Sequence, residues 1–295
     1  MRITHWSTGL AAALLLTACG GDQAPQETLH TDQDTDTTQA ARVLRTKNIF
    51  HNIPSPMETA ALLKKAGAGY DKDMLNDVTH VDNYTAASKQ ALNLGIYGAD
   101  LSYASVYNKT SESMLYTSCA QKLAKRLDVT SAFDQGVFDR MEKNQHDRDS
   151  LLSIVSETYW NMDAYLKENQ RDNISALMIA GGWVEGLYIA TQVAKAHDTP
   201  ELRQRIAEQK LPLQNLLELV STYSTDDPAL ATVLADLRGL EALFANVTSP
   251  GGPSTVTQEK GVTVIGGTAP AAAITDAQLK ALTEKTAAVR STYIN

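Results

Sequence analysis

The sequence predicts an all-α fold: an antiparallel multi-helix bundle or a degenerate helical-repeat array, with a small β-hairpin inserted near 255–265. Three observations predict it. Beyond residue 42, capping residues and helix breakers mark off a run of helix-length segments with helical apolar spacing. The links between them are a few residues long, as antiparallel neighbours require. Of 295 residues, 43% are hydrophobic and 20% charged, which suits a globular body with a sizeable core.

The elements follow in order. Ser55-Pro56-Met57-Glu58 sets a capping residue, a proline at the first helical position and a glutamate three after the cap. A first helix therefore spans Pro56 to about Ala66, and Gly67 and Gly69 end it. Thr79 opens a long second helix, about Val81 to Tyr107, broken at Asn108-Lys109-Thr110. A third runs from Ser111 to Leu127, and Thr130 and Ser131 cap a fourth, Ala132 to about Asn144. The fifth covers Asp149 to Asn169, and the sixth Asp172 to about Ala196. Thr199-Pro200-Glu201 starts a seventh, which Pro212 kinks or splits, because proline removes a backbone donor. Asp227-Pro228 starts an eighth, to Ala245, and Thr275 with Gln278 forms a capping box for a terminal helix ending at Tyr293. Between these last two, Pro250-Gly251-Gly252-Pro253 precedes alternating Val256, Val262 and Val264 around Glu259-Lys260-Gly261, with Gly266-Gly267 after them. That pattern reads as the hairpin. A lone hairpin is marginal in water, so it is a decorated loop, a lid or a partner edge. No 30–50-residue repeat signature emerges, although the helix-pair rhythm keeps a repeat array open.

Charge and cysteine content exclude several classes. Lys and Arg number 26 against 34 Asp and Glu, a net of −8. An acidic chain argues against nucleic acid as a partner, because phosphate neutralisation needs clustered bases. Two cysteines are too few for a disulfide framework or a Cys-based zinc site. No Walker loop, no G-x-S-x-G and no H-E-x-x-H occurs, so no cofactor and no metal is implied.

The N-terminus carries the clearest chemistry. Arg2 and His5 precede the apolar run Leu10 to Leu16, followed by Thr17-Ala18-Cys19-Gly20-Gly21. A short basic region, an apolar stretch too short to span a bilayer and small residues at its end read as a secretory signal peptide. Leu16-Thr17-Ala18-Cys19 resembles the lipobox of bacterial lipoproteins. The resemblance implies cleavage after residue 18, with Cys19 becoming the first mature residue and carrying acyl chains of the palmitate class. Two or three such chains make a stable membrane anchor, since each buried CH₂ contributes about 0.8 kcal/mol. In that class, an aspartate after the cysteine favours the inner membrane. Gly20 stands there, so the outer membrane is favoured if the source is diderm.

Residues 19–41 then form an acidic tether. Gly20 to Ala41 holds five acids, no Lys or Arg, and almost no large apolar residue, so it reads as disordered. Such a chain of 22 residues spans about 25 Å r.m.s.. The domain plan is therefore a signal peptide at 1–18, lipidated Cys19 and tether to 41, and a single helical domain at 42–295. Ile49, Phe50 and Ile53 dock the junction on the body or form a partner-binding segment.

Within the body the sixth helix stands out. From Ser175 to Ala194 it is apolar nearly all round, as befits a central helix. Gly181, Gly182 and Gly186 each cost about 1 kcal/mol of helix propensity relative to alanine; what they permit is close approach of a neighbour. Glu185 is the only acid in that stretch, and a buried carboxylate must be paired, hydrogen-bonded or protonated. On the second helix Ala91, Gly95, Gly98, Ser102 and Ser105 form a small-residue stripe, with Asn93, Tyr97 and Asp100 on another face and Tyr103 and Tyr107 extending it. If the two glycine-bearing helices pack together, Glu185 and Asp100 approach one place edged by Tyr97, Tyr103, Trp183 and Tyr188, with Trp160 of the fifth helix joining. Aromatic walls and convergent polar groups suit a small ligand, and paired carboxylates suit acid–base work. Equally, the acids are satisfied core residues and the glycines packing contacts.

The remaining candidates are weaker. The histidines are scattered, and His51, His80, His146 and His197 show no ligand spacing. Cys119 lies on a helix beside Leu115 and Leu123 and reads as a buried, inert thiol. Three functions remain. The first is a membrane-anchored binding or scaffold protein of the cell envelope, holding a protein partner or small ligand. The others are an envelope enzyme using Glu185 and Asp100, and a structural subunit of an envelope complex.

Overall fold

The structure is a computed structural model describing residues 56–65, 67–130, 135–144, 147–225, 227–247, 256–259, 262–265 and 273–295. All belong to one compact unit, Val43–Asn295. The signal peptide, Cys19, the tether, the Ile49–Ile53 junction, His51 and His146 lie outside the described residues, as do the tips and flanks of the 255–265 segment.

The described body is all-α in character, with helices α1 (Pro56–Lys65), α2 (Ala87–Val106), α3 (Thr110–Arg126), α4 (Gln135–Lys143), α5 (Arg148–Glu168), α6 (Asp172–Ala196), α7 (Pro200–Glu208), α8 (Lys210–Tyr223), α9 (Pro228–Phe244) and α10 (Asp276–Ile294). Two short strands, β1 (Val256–Glu259) and β2 (Val262–Ile265), pair antiparallel with Val256 opposite Ile265 and Glu259 opposite Val262.

Local chemistry sets the helix ends. The Asp147, Thr199 and Asp227 side chains each accept backbone N–H groups of the turn that follows, satisfying donors that the helix cannot. Thr275 and Gln278 bond reciprocally as a capping box. Helices α2, α3 and α5 end on non-glycine residues at positive φ: Asn108, Asp128 and Gln170. Gly67 plays the same part after α1, at φ 84°. All four close with paired backward bonds, such as Asn108 N–H to Ser105 O and Lys109 N–H to Ala104 O, the Schellman arrangement.

Two boundaries differ from the sequence expectation. The expected split of the seventh helix falls at Gln209, ahead of Pro212, and gives α7 and α8. Pro212 sits in the first turn of α8, where its missing N–H leaves nothing unsatisfied. The second predicted helix begins six residues late, at Ala87. Val78–Asp82 is a separate 3₁₀ turn capped by Asp77, and the Gln90 amide donates to the carbonyls of Tyr84 and Thr85. Those carbonyls are thereby drawn away from an earlier helical turn.

Helix α6 is nearly all apolar and lies in the middle, against α1, α2, α5, α7, α8, α9 and α10. It is long and apolar enough to cross a membrane, yet 94% of its most apolar window is buried inside the body. Glycines let α2 reach its backbone: a Cβ on Gly95 would stand 1.9 Å from the Met178 carbonyl oxygen, and one on Gly181 2.1 Å from that of Leu92. The space a Gly98 side chain would fill holds the Tyr159 hydroxyl, which donates to Leu94 O at 2.6 Å.

Candidate functional site

Residues 67–86, which contain two 3₁₀ turns, run as a strap along α2. Their backbone polar groups must find partners, and side chains of three helices supply them. The hydroxyls of Tyr107, Tyr103 and Tyr97 donate to the carbonyls of Ala68, Gly69 and Asp77 at 2.9, 3.2 and 2.9 Å. Since the chain order of the acceptors opposes that of the donors, the strap descends antiparallel to α2. Arg126 of α3 donates to Val81 O at 2.8 Å, and Arg290 of α10 donates to Met74 O at 3.0 Å.

Beneath the strap lies a charged cluster. Glu185 of α6 and Asp100 of α2 are both 0% exposed. The Arg290 guanidinium meets Glu185 through two charge-assisted bonds, Nε to Oε2 at 2.6 Å and a terminal nitrogen to Oε1 at 2.8 Å. Its plane covers the Tyr188 ring at 4.3 Å. Burial works against the arginine's charge, but Glu185, then Asp100 and Tyr188, outweigh it and raise its proton affinity. Asp100 Oδ2 accepts the Asn76 N–H at 3.2 Å, while Oδ1 has no N–H or O–H donor. The Asp100 carboxyl lies within hydrogen-bond reach of Glu185. Burial first, and the Glu185 charge second, hold it protonated far above the ordinary carboxylate range, against Arg290. A carboxyl meeting a carboxylate needs one proton between them. The cluster Glu185⁻, Arg290⁺ and neutral Asp100 thus carries no net charge.

A neutral amide network extends it. Asn76 Nδ2 donates to Asn93 Oδ1 at 3.1 Å and to the Tyr84 hydroxyl at 3.0 Å. Asn93 Nδ2 donates to Tyr293 O and Tyr84 OH to Ile294 O, 2.9 and 3.2 Å. Together with Lys89, whose ammonium reaches Thr292 O and Asn295 O, they satisfy the last carbonyls of α10.

The structure brings Asn93, Asp100, Glu185 and Tyr188 of the predicted set into this network. Tyr97 borders it, its ring 6.3 Å from that of Tyr84. Tyr103 belongs elsewhere, stacked on Tyr70 at 5.3 Å and against Tyr107 at 4.9 Å. Trp160 is half-buried on α5. Trp183 is buried, and its indole N–H has no hydrogen-bond acceptor. Cys119 is a free, buried thiol directed at Val78 O, and burial pushes it up to about 11, which leaves it unreactive at neutral pH. Among the described residues no His, Cys, Asp or Glu group is arranged to hold a metal.

Sequence reasoning missed Arg290 and Asn76. Arg290 was legible: Leu279, Leu282, Thr286, Val289 and Tyr293 form the buried face of α10, and the arginine falls on that face. A base there demands a buried acid. Asn76 carried no such signal, because it lies between helices. Neither a family model, nor a curated protein, nor a solved structure matches this chain.

Proposed function

We propose that the protein is a lipid-anchored, extracytoplasmic component of the cell envelope, acting as a binding or scaffold protein. Leu16-Thr17-Ala18-Cys19 behind a short apolar run is the observation that carries the reading. Cys19 bears the acyl chains, residues 20–41 are the acidic tether, and the antiparallel helical bundle, with the 255–265 hairpin inserted, is the working body. The outer membrane is the favoured location in a diderm cell. The one described helix apolar enough to span a bilayer, α6, has its apolar surface inside the body, so it is not the proposed anchor. An envelope protein or a small ligand is the proposed partner. Catalysis by Glu185 and Asp100 is the less favoured reading, because Arg290 already pairs with Glu185 and both carboxyls are closed to solvent.

Metabolic labelling with a radioactive fatty acid tests the anchor. Wild type is expected to incorporate label and to sediment with membranes. Cys19→Ala is expected to lose the label and leave the membrane fraction. Equal labelling of both proteins would overturn the reading.

A further inference from the structure

We propose that residues 67–86 form a strap held shut by a single proton shared between the Asp100 and Glu185 carboxyls, and that loss of this proton lifts the strap from α2 and α10. Closure of the strap passes through the cluster at two points. Asp100 Oδ2 holds the Asn76 N–H, and Arg290, fixed by Glu185, holds the Met74 carbonyl. Removing the proton leaves two carboxylates against one guanidinium, a net negative charge with no solvent, and Asp100 Oδ1 has no donor to stabilise it. The cheapest relief is entry of water. α6 and α2 are locked backbone to backbone at Gly95 and Gly181. The strap is held by the apolar side chains of Ala68, Leu75, Val81 and Tyr84 in the core and by side-chain bonds from its neighbours to its backbone, and the bonds are what water can replace.

The groups facing Asp100 leave it as the candidate proton. Glu185 and Tyr188 face it from α6, Arg290 from α10, Tyr116 and Cys119 from α3, Tyr159 from α5, Tyr97 from its own helix, and Tyr70 and Tyr84 from the strap. Burial raises every one of those phenols and the thiol, so they stay neutral near pH 7. Asp71 lies exposed on the strap, and His80 Nδ1 stands 3.3 Å from Asn76 Oδ1. This imidazole is the other group on the strap next to Asn76, so it needs its own control.

The test is hydrogen–deuterium exchange of the full chain from about pH 5 to about pH 9, read on peptides covering 67–86 and 172–196 and corrected for intrinsic rates. Strap opening is expected to rise by up to about tenfold per pH unit until Asp100 is ionised, while α6 stays protected. Asp100→Asn keeps an acceptor for Asn76 and a donor for Glu185, so its strap is expected to stay shut across the range. His80→Gln is expected to open as wild type does. If Asp100→Asn does not fold, the infrared C=O band of a protonated carboxyl in wild type, fading as the strap opens, decides. A pH-independent strap, a response lost in His80→Gln, α6 opening together with the strap, or no such band would each overturn the proposal.

Discussion

Replacing Arg290 by methionine isolates the energetic core of the molecule. Methionine keeps most of the aliphatic volume and removes the cation. The Arg290 side chain is 9% exposed and that of Glu185 0%, so the acid left behind has no water to turn to. Breaking a buried pair from one side costs about 3–5 kcal/mol. The Met74 carbonyl loses its donor, about 1 kcal/mol, and the contact with the Tyr188 ring contributes about 1 kcal/mol more. These do not add fully, because all three contacts belong to one guanidinium. The expected loss is therefore about 4 kcal/mol, a drop of roughly 8–16 °C in Tm for a body of this size. Urea titration followed by far-UV circular dichroism measures it. Glu185→Leu in the same chain removes the stranded acid, so Glu185→Leu/Arg290→Met is expected to recover most of the stability. A loss below about 1 kcal/mol for Arg290→Met, or a double variant as unstable as the sum of the singles, would refute the reasoning.

Other expectations follow from the same geometry. Folded Asp100 binds its proton more tightly than the unfolded chain, whose value is near 3.8. Its contribution is therefore full below that pH and is lost as pH rises towards the folded value. Stability should fall by up to about 1.4 kcal/mol per pH unit from this group, and urea midpoints of Asp100→Asn across pH should lack that slope. Gly95→Ala drives a Cβ into the Met178 carbonyl and should cost about 3 kcal/mol or more in the same titration. Gly239→Ala meets only the flexible end of Lys285 and should gain up to about 1 kcal/mol of helix propensity by thermal melting. Gln170, at φ 58° after α5, should gain about 1 kcal/mol on replacement by glycine, visible as a raised urea midpoint.

The limits of legibility follow physical lines. Helix starts at Thr199, Asp227 and Thr275 were readable because a cap is a local bond between neighbours in sequence. The central place of α6 was readable because its apolar residues encircle it. Asp100 and Glu185 were readable as acids in need of partners. What those partners are depends on contacts across 105 residues between Glu185 and Arg290 and across 24 between Asn76 and Asp100, which no local pattern encodes. The end of the strap, residues 81–86, was read as the first turns of a helix because the strap's hydrogen bonds go to side chains of other elements, which no local pattern shows. The excess of tyrosine over phenylalanine, 11 to 4, is partly explained: Tyr97, Tyr103, Tyr107 and Tyr84 each end on a backbone carbonyl. No external ligand needs to be invoked for these hydroxyls.

The most direct test of the envelope assignment is the intact mass of the protein extracted from membranes. A species lacking residues 1–18, with Cys19 at its N-terminus and carrying the added mass of a diacylglyceryl group, is expected. A full-length, unmodified chain starting at Met1 and recovered from the cytosol would contradict it.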